Sequence, residues 1–234
     1  MDPYTSTTSP LAFRAEPNER ATFIRKTYSH LAAAILVFTG VTGLLLNSQI
    51  GVRLARSLVG TQFGWILVMV LFMGASYIAN RWARSDTSVE LQYAGLGLYI
   101  LAESIIFLPI LFIANAYYEG VILQAGIVTG MLFLGLTATV FMTRSDFSFL
   151  GPILSIAGFV AIGVILCSIL FGFTLGTLFS GIMILFAAGA ILYDTSNVLH
   201  HYRTDQHVAA SLSLFASVAL LFWYVLRLLM ALRD

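Results

Sequence analysis

The chain has 234 residues, of which 59% are hydrophobic and 10% charged, with a formal net charge of +1 and a mean hydropathy of +0.91. A soluble domain carries about 25% charged residues, so this chain lacks the polar surface a soluble enzyme needs. The near-neutral balance, with no Lys/Arg cluster and no basic–aromatic interleaving, also excludes nucleic acid as a partner.

Residues 1–28 mix Ser, Thr, Pro and charges without apolar periodicity, and they lack the apolar core of a cleavable signal. They read as a flexible cytoplasmic tail, leaving 29–234 as the membrane domain. A bilayer-crossing helix needs roughly 20 apolar residues because lipid offers the backbone no hydrogen-bond partner. Seven stretches qualify: 29–46, 63–80, 89–113, 121–143, 150–171, 177–199 and 208–231. The breaks between them are too short for a folded extramembrane domain. An all-α integral membrane protein follows, a bundle of seven transmembrane helices with the lipid bilayer as its solvent.

Cations collect on the cytoplasmic side of a membrane. With the N-terminus inside, the inner segments hold Arg14, Arg20, Arg25, Lys26, Arg81, Arg84, Arg144 and Arg203, whereas the outer ones hold Arg53, Arg56 and Arg233. This predicts a cytoplasmic N-terminus and a periplasmic C-terminus. Arg53 and Arg56 oppose the trend, and an amphipathic stretch on the outer surface would accommodate them.

Small residues at helical spacing mark candidate close approaches between spans: Gly40 and Gly43, Gly126 and Gly130, and Ala187 and Ala190. Ionisable residues inside spans are costly, about 2.5–3.5 kcal/mol for a central carboxylate, so Glu103, Asp194 and Arg227 stand out. On the sixth span Ala187, Ala190, Asp194, Asn197 and His201 share one face; on the seventh Ser213, Ser217, Leu220, Tyr224 and Arg227 do. Asp194 is a candidate proton-sensitive gate or cation ligand, or else a carboxyl satisfied by Thr195 or by a serine of the facing helix. Glu103, ahead of the helix-bending Pro109, is either a second polar element of a permeation path or a neutral acid satisfied locally. Arg227 reads as snorkelling to the outer interface with Trp223 as anchor. His200, His201 and His207 flank one loop and are candidates for pH sensing, or simply solvated. No firm metal set is present; a calcium contact at Asp194 is the one candidate.

Enzyme classes fare poorly. The only lysine, Lys26, precedes the first span and cannot form the Schiff base of a retinal pigment; Ser180–Gly181 has no histidine in a later span to activate the serine; Asp194 has no clear second aspartate. No P-loop, dinucleotide fingerprint or metalloprotease helix appears.

The run Ala188-Gly189-Ala190-Ile191-Leu192-Tyr193-Asp194-Thr195-Ser196-Asn197, the segments Ser211–Phe215 and Tyr224–Leu229, and Thr143–Gly151 between the fourth and fifth spans resemble the Bax-inhibitor family. The last of these is similar to the bacterial YccA-like subgroup. The resemblance runs from Arg25 to the C-terminus. It implies a seven-helix bundle with the seventh helix central, and a non-enzymatic inner-membrane protein. It further implies association with, and slow degradation by, the membrane-anchored ATP-dependent protease FtsH. Other family members are pH-sensitive calcium leak channels in which aspartates on the sixth and seventh helices share a proton. Asp194 matches the first aspartate, but Ser217 occupies the position of the second, which removes the dyad. No cofactor is implied beyond possible calcium, and the oligomeric state is left open.

Overall fold

A computed structural model describes residues 9–59, 62–85 and 88–233, and all of its regular elements are helices. They are α1 (Pro17–Leu46), α2 (Gln49–Val59), α3 (Gln62–Ala83), α4 (Val89–Tyr117), α5 (Val121–Thr143), α6 (Leu150–Phe171), α7 (Thr177–His200) and α8 (His207–Ala231). Seven are long and apolar enough to cross a bilayer, and each coincides with a predicted span. The eighth, α2, carries Arg53 and Arg56 and is the amphipathic stretch anticipated there.

The sequence reading of a tail over 1–28 needs correction. Residues 1–8 lie outside the described ones, but α1 starts at Pro17, a residue suited to the first helical turn because its missing N–H has no intrahelical role. The early turns of α1 are held by tertiary contacts that no local pattern announces. Phe23 and Thr27 are buried, and Ser211 Oγ donates to the Thr27 carbonyl at 2.8 Å. Ahead of α1, residues 10–12 lie antiparallel to the α7–α8 loop. There Ala12 N–H donates to the Tyr202 carbonyl at 2.8 Å and Thr204 N–H to the Pro10 carbonyl at 3.1 Å, with Ala12 fully buried. Thr204 Oγ1 also donates to a Glu19 carboxylate oxygen at 2.5 Å.

α8 is the centre. It packs against α1, α3, α4, α5 and α7, whereas α6 packs on α7 and α3 and approaches α8 only near the Ala161–Met183–Tyr224 cluster. Five spans therefore enclose the seventh closely, not all six. Aromatic rings fill the interior: Phe215 of α8 meets Phe38 and Tyr99 edge-on, and Phe107 of α4 meets Phe38, Phe222 and Trp223. Trp223 packs its ring on Phe107, with the ring centres 4.9 Å apart. Arg227, beside it, donates from Nη2 to the Leu175 carbonyl at 2.7 Å, tying α8 to the α6–α7 loop.

The small-residue expectations hold in one place and fail in others. Ala187 is fully buried between helices and Ala190 partly so. Around Gly40, Gly43, Gly126 and Gly130, however, nothing lies within 4 Å of where a Cβ would sit, so these glycines face outward and bring no helices of this chain together. Close approach occurs instead at Gly95, where a Cβ would fall 2.6 Å from the Ala79 carbonyl oxygen, and at Gly151, where it would meet the Tyr193 ring at 3.0 Å. Periodicity finds a stripe of small residues but does not tell which way the stripe faces.

Candidate functional site

The polar interior of the bundle is built around Asp194, six residues before the end of α7. Its carboxylate accepts a hydrogen bond from Ser217 Oγ of α8 at 2.5 Å. Ser217 is buried and Asp194 partly so. A hydrogen bond of this kind offsets the desolvation that burial imposes on a polar group. The open choice between Thr195 and a facing serine is thereby settled for the serine. Thr195 is fully buried and turns toward Tyr28 of α1, whose ring packs on Phe133 and Phe141.

Ser213, one turn from Ser217, does not reach the carboxylate. Its hydroxyl pairs at 3.0 Å with that of Tyr202, a residue of the α7–α8 loop that dips into the bundle end. Burial pushes the Tyr202 phenol up, opposed by the Ser213 hydrogen bond, with Asp194 and Arg84 both within electrostatic reach. Arg84, at the end of α3, is also the cation that acts on Asp194. Asn197 contributes its main chain: its carbonyl accepts from the N–H groups of His201 at 2.8 Å and Tyr202 at 3.0 Å, ending α7.

Glu103 is buried on α4, with the Tyr99 hydroxyl one turn earlier as its hydrogen-bond partner. Tyr99 lies within electrostatic reach of Asp194 as well, and Ser76 of α3 faces its hydroxyl. Tyr99 and Glu103 of α4 thus form one polar pair, and Asp194 and Ser217 of α7 and α8 a second within electrostatic reach of Tyr99. Sequence reasoning missed Tyr99, since a tyrosine in an apolar span signals packing as readily as polarity.

The three histidines do not form one site. His200 Nδ1 bonds the Ser196 carbonyl at 3.0 Å, and His201 Nε2 stands 3.7 Å from Asp146. His207 instead packs edge-on against His30 of α1 at 5.0 Å between ring centres; His30 Nε2 in turn meets the Tyr93 hydroxyl at 2.8 Å. The sequence reading passed over His30 because its partner lies on a helix remote in sequence. It also left Asp146 without a role. Asp146 accepts from the Ser148 N–H at 2.9 Å and from Ser196 Oγ at 3.3 Å, while Ser196 Oγ accepts from the Phe147 N–H at 2.9 Å. The Ser148 backbone hydrogen bond foremost, with His201 adding its charge, holds the Asp146 carboxyl below its ordinary value of 3.8. The Arg144–Phe149 loop, entered through a left-handed Arg144 at φ 51°, is thereby docked onto α7.

Among the described residues no three His, Cys, Asp or Glu side chains converge as a metal set. Calcium takes six to eight oxygen ligands, whereas Asp194 brings one carboxylate whose neighbouring hydroxyl points its proton at it. The donor set does not fit a resident calcium ion. What the site offers chemically is a carboxylate sheltered inside the bundle, one serine hydroxyl donating to it, and Arg84 and Tyr202 within electrostatic reach.

Comparison with known proteins places these residues in context. The family model described as "Inhibitor of apoptosis-promoting Bax1" matches residues 20–234. The chain is 34% identical over 180 residues to "Modulator of FtsH protease YccA" of Escherichia coli K12, covering 73% of this chain and 77% of that protein. It is 29% identical over 228 residues to "Protein LIFEGUARD 3" of Arabidopsis thaliana, covering 95% of this chain and 89% of that one. It is 28% identical over 233 residues to "Bax inhibitor 1" of Schizosaccharomyces pombe, covering 97% and 82% respectively.

Proposed function

Starting from the fact that this chain belongs to the Bax-inhibitor family of multi-pass membrane proteins, we propose that it is a non-enzymatic modulator of a membrane-anchored ATP-dependent protease of the FtsH type. The observation that carries this reading is the 34% identity to the E. coli modulator of FtsH protease. The same likeness supports a place in a bacterial inner membrane, with the N-terminal face, the bundle end where α1 starts, on the cytoplasmic side; the cation distribution agrees. That face gathers the contacts of the segment before α1 with the α7–α8 loop, and those of the α5–α6 loop with the end of α7 and with His201. It offers the protease an ordered docking surface.

The reading is tested by affinity purification of the tagged full-length chain from cells: the protease should co-purify, and its absence under cross-linking conditions would overturn the assignment. Deleting residues 2–8 should lengthen the chain's half-life in those cells, and an unchanged half-life would count against its being a substrate.

A second reading, a cation leak past Asp194, is favoured by the sheltered carboxylate with Arg84 and Tyr202 within electrostatic reach of it. Calcium uptake by proteoliposomes that Asp194→Asn abolishes would establish it alongside the first; no flux above empty vesicles would remove it.

A further inference from the structure

The bundle end opposite the N-terminal face holds α2, which joins the end of α1 to the start of α3 and therefore sits where the spans leave the apolar layer. Its residues divide sharply around the helix. At 100° per residue, Gly51 and Ala55 fall within 40° of each other, and both are buried. A Cβ on Gly51 would lie 2.0 Å from the Leu45 carbonyl oxygen, so the missing side chain lets α2 press against the last turn of α1. α2 also packs on α3 and α4. The helix is therefore fixed to the bundle by one small-residue face.

The rest of its surface is outward. Arg56, Gln49, Arg53, Ser57 and Ile50 follow one another around an arc of 120°, and all five are exposed, Ile50 at 76%. Half-buried Leu54 continues the apolar edge beside Ile50. Neither guanidinium has an acidic partner among the described residues. One edge of the arc is thus cationic and the other apolar, at the level of a membrane interface. A free inorganic anion would use the arginines and leave Ile50 in water. A phospholipid uses both, because its phosphate takes the planar guanidinium donors and its acyl chains cover the apolar edge.

We infer that α2 is an interfacial anchor in which Arg53 and Arg56 bind the headgroup phosphates of anionic phospholipid, with Ile50 and Leu54 set into the acyl layer. This also accounts for two cations on the side that the charge bias leaves poor in them: they are retained as ligands for lipid.

The test is native mass spectrometry of the full-length protein in detergent supplied with equal amounts of phosphatidylglycerol and phosphatidylcholine. The wild type should retain phosphatidylglycerol preferentially, and raising ionic strength before analysis should reduce that preference. The double variant Arg53→Gln, Arg56→Gln should lose it by on the order of tenfold, while Arg25→Gln, Arg81→Gln, which removes equal charge from the opposite end, should keep most of it. A loss no greater for the α2 pair than for this control overturns the inference. So does displacement of the lipid by millimolar inorganic phosphate, which would make the occupant a free anion. Because misfolding would also lower retention, the Arg53→Lys, Arg56→Lys variant serves as a check: it keeps the charge and should recover most of the preference, and failure to recover it overturns the electrostatic account.

Discussion

α6 and α8 have similar lengths, and α6 is the more apolar, yet α8 buries thirteen residues and α6 only Ala161. In water the order would be reversed, with the greasier helix inside. In lipid, apolar side chains gain nothing by facing one another, so the helix that carries polar groups needing partners goes to the centre. α8 brings Ser211, Ser213, Ser217 and Arg227, and each finds an acceptor or partner on another element or in a neighbouring turn. α6 brings Phe159, Ile156 and Leu170 and leaves them outward.

This contrast can be broken most directly by truncating one large aromatic on each helix. Phe215→Ala, at 2% exposure and touching Phe38 and Tyr99, should cost about 3–5 kcal/mol; Phe159→Ala, 79% exposed, should stay within about 0.5 kcal/mol. Equilibrium unfolding in mixed micelles measures both, and equal losses would end the centre–periphery distinction. Next in size are the glycines. Gly95→Ala drives a Cβ into backbone and should destabilise by about 1–3 kcal/mol, whereas Gly126→Ala meets nothing and should be neutral or stabilising by up to about 1 kcal/mol through helix propensity.

Within α8 itself, Ser217→Ala strips the Asp194 carboxylate of its donor and should cost about 1–3 kcal/mol, more than Ser213→Ala, whose partner Tyr202 sits near the bundle end. The same unfolding measurement ranks the two, and the reverse order would place the polar centre elsewhere. The smallest effect belongs to Asp146 on the α5–α6 loop. Its folded-state pKa is depressed, so its contribution is present above the ordinary carboxylate range and fades as pH falls through the folded value. Asp146→Asn should lower the melting temperature slightly at pH 7 and leave it unchanged near pH 2. Its side chain is 47% exposed, so solvent screening keeps the difference small. A pH-independent difference would assign the effect to lost hydrogen bonds alone.

The spans were legible because lipid imposes a length and composition rule on each helix separately. Asp194 was legible for the same reason, as a carboxylate that no apolar run should contain. Direction was not. Gly126 and Gly130 repeat at helical spacing as convincingly as any packing motif, and only their neighbours reveal that they face away. The partners of Glu103 and His207 were equally hidden: Tyr99 looks like one more aromatic in an apolar run, and His30 is far away in sequence. The start of α1 was misread because its first turns are polar and owe their order to Thr27, Phe23 and the loop across the bundle end. Such order is a property of the assembled bundle and leaves no local trace.

The short antiparallel pairing of residues 10–12 with the α7–α8 loop has a mechanical consequence. A pulling force applied to the chain ahead of Pro10 does not act first on a peripheral helix. Through the Ala12–Tyr202 and Thr204–Pro10 bonds its load passes to the hairpin at the head of α8, so traction arrives at the hub on which five neighbours lean. Extraction must therefore break this clasp before the first helix can be drawn out.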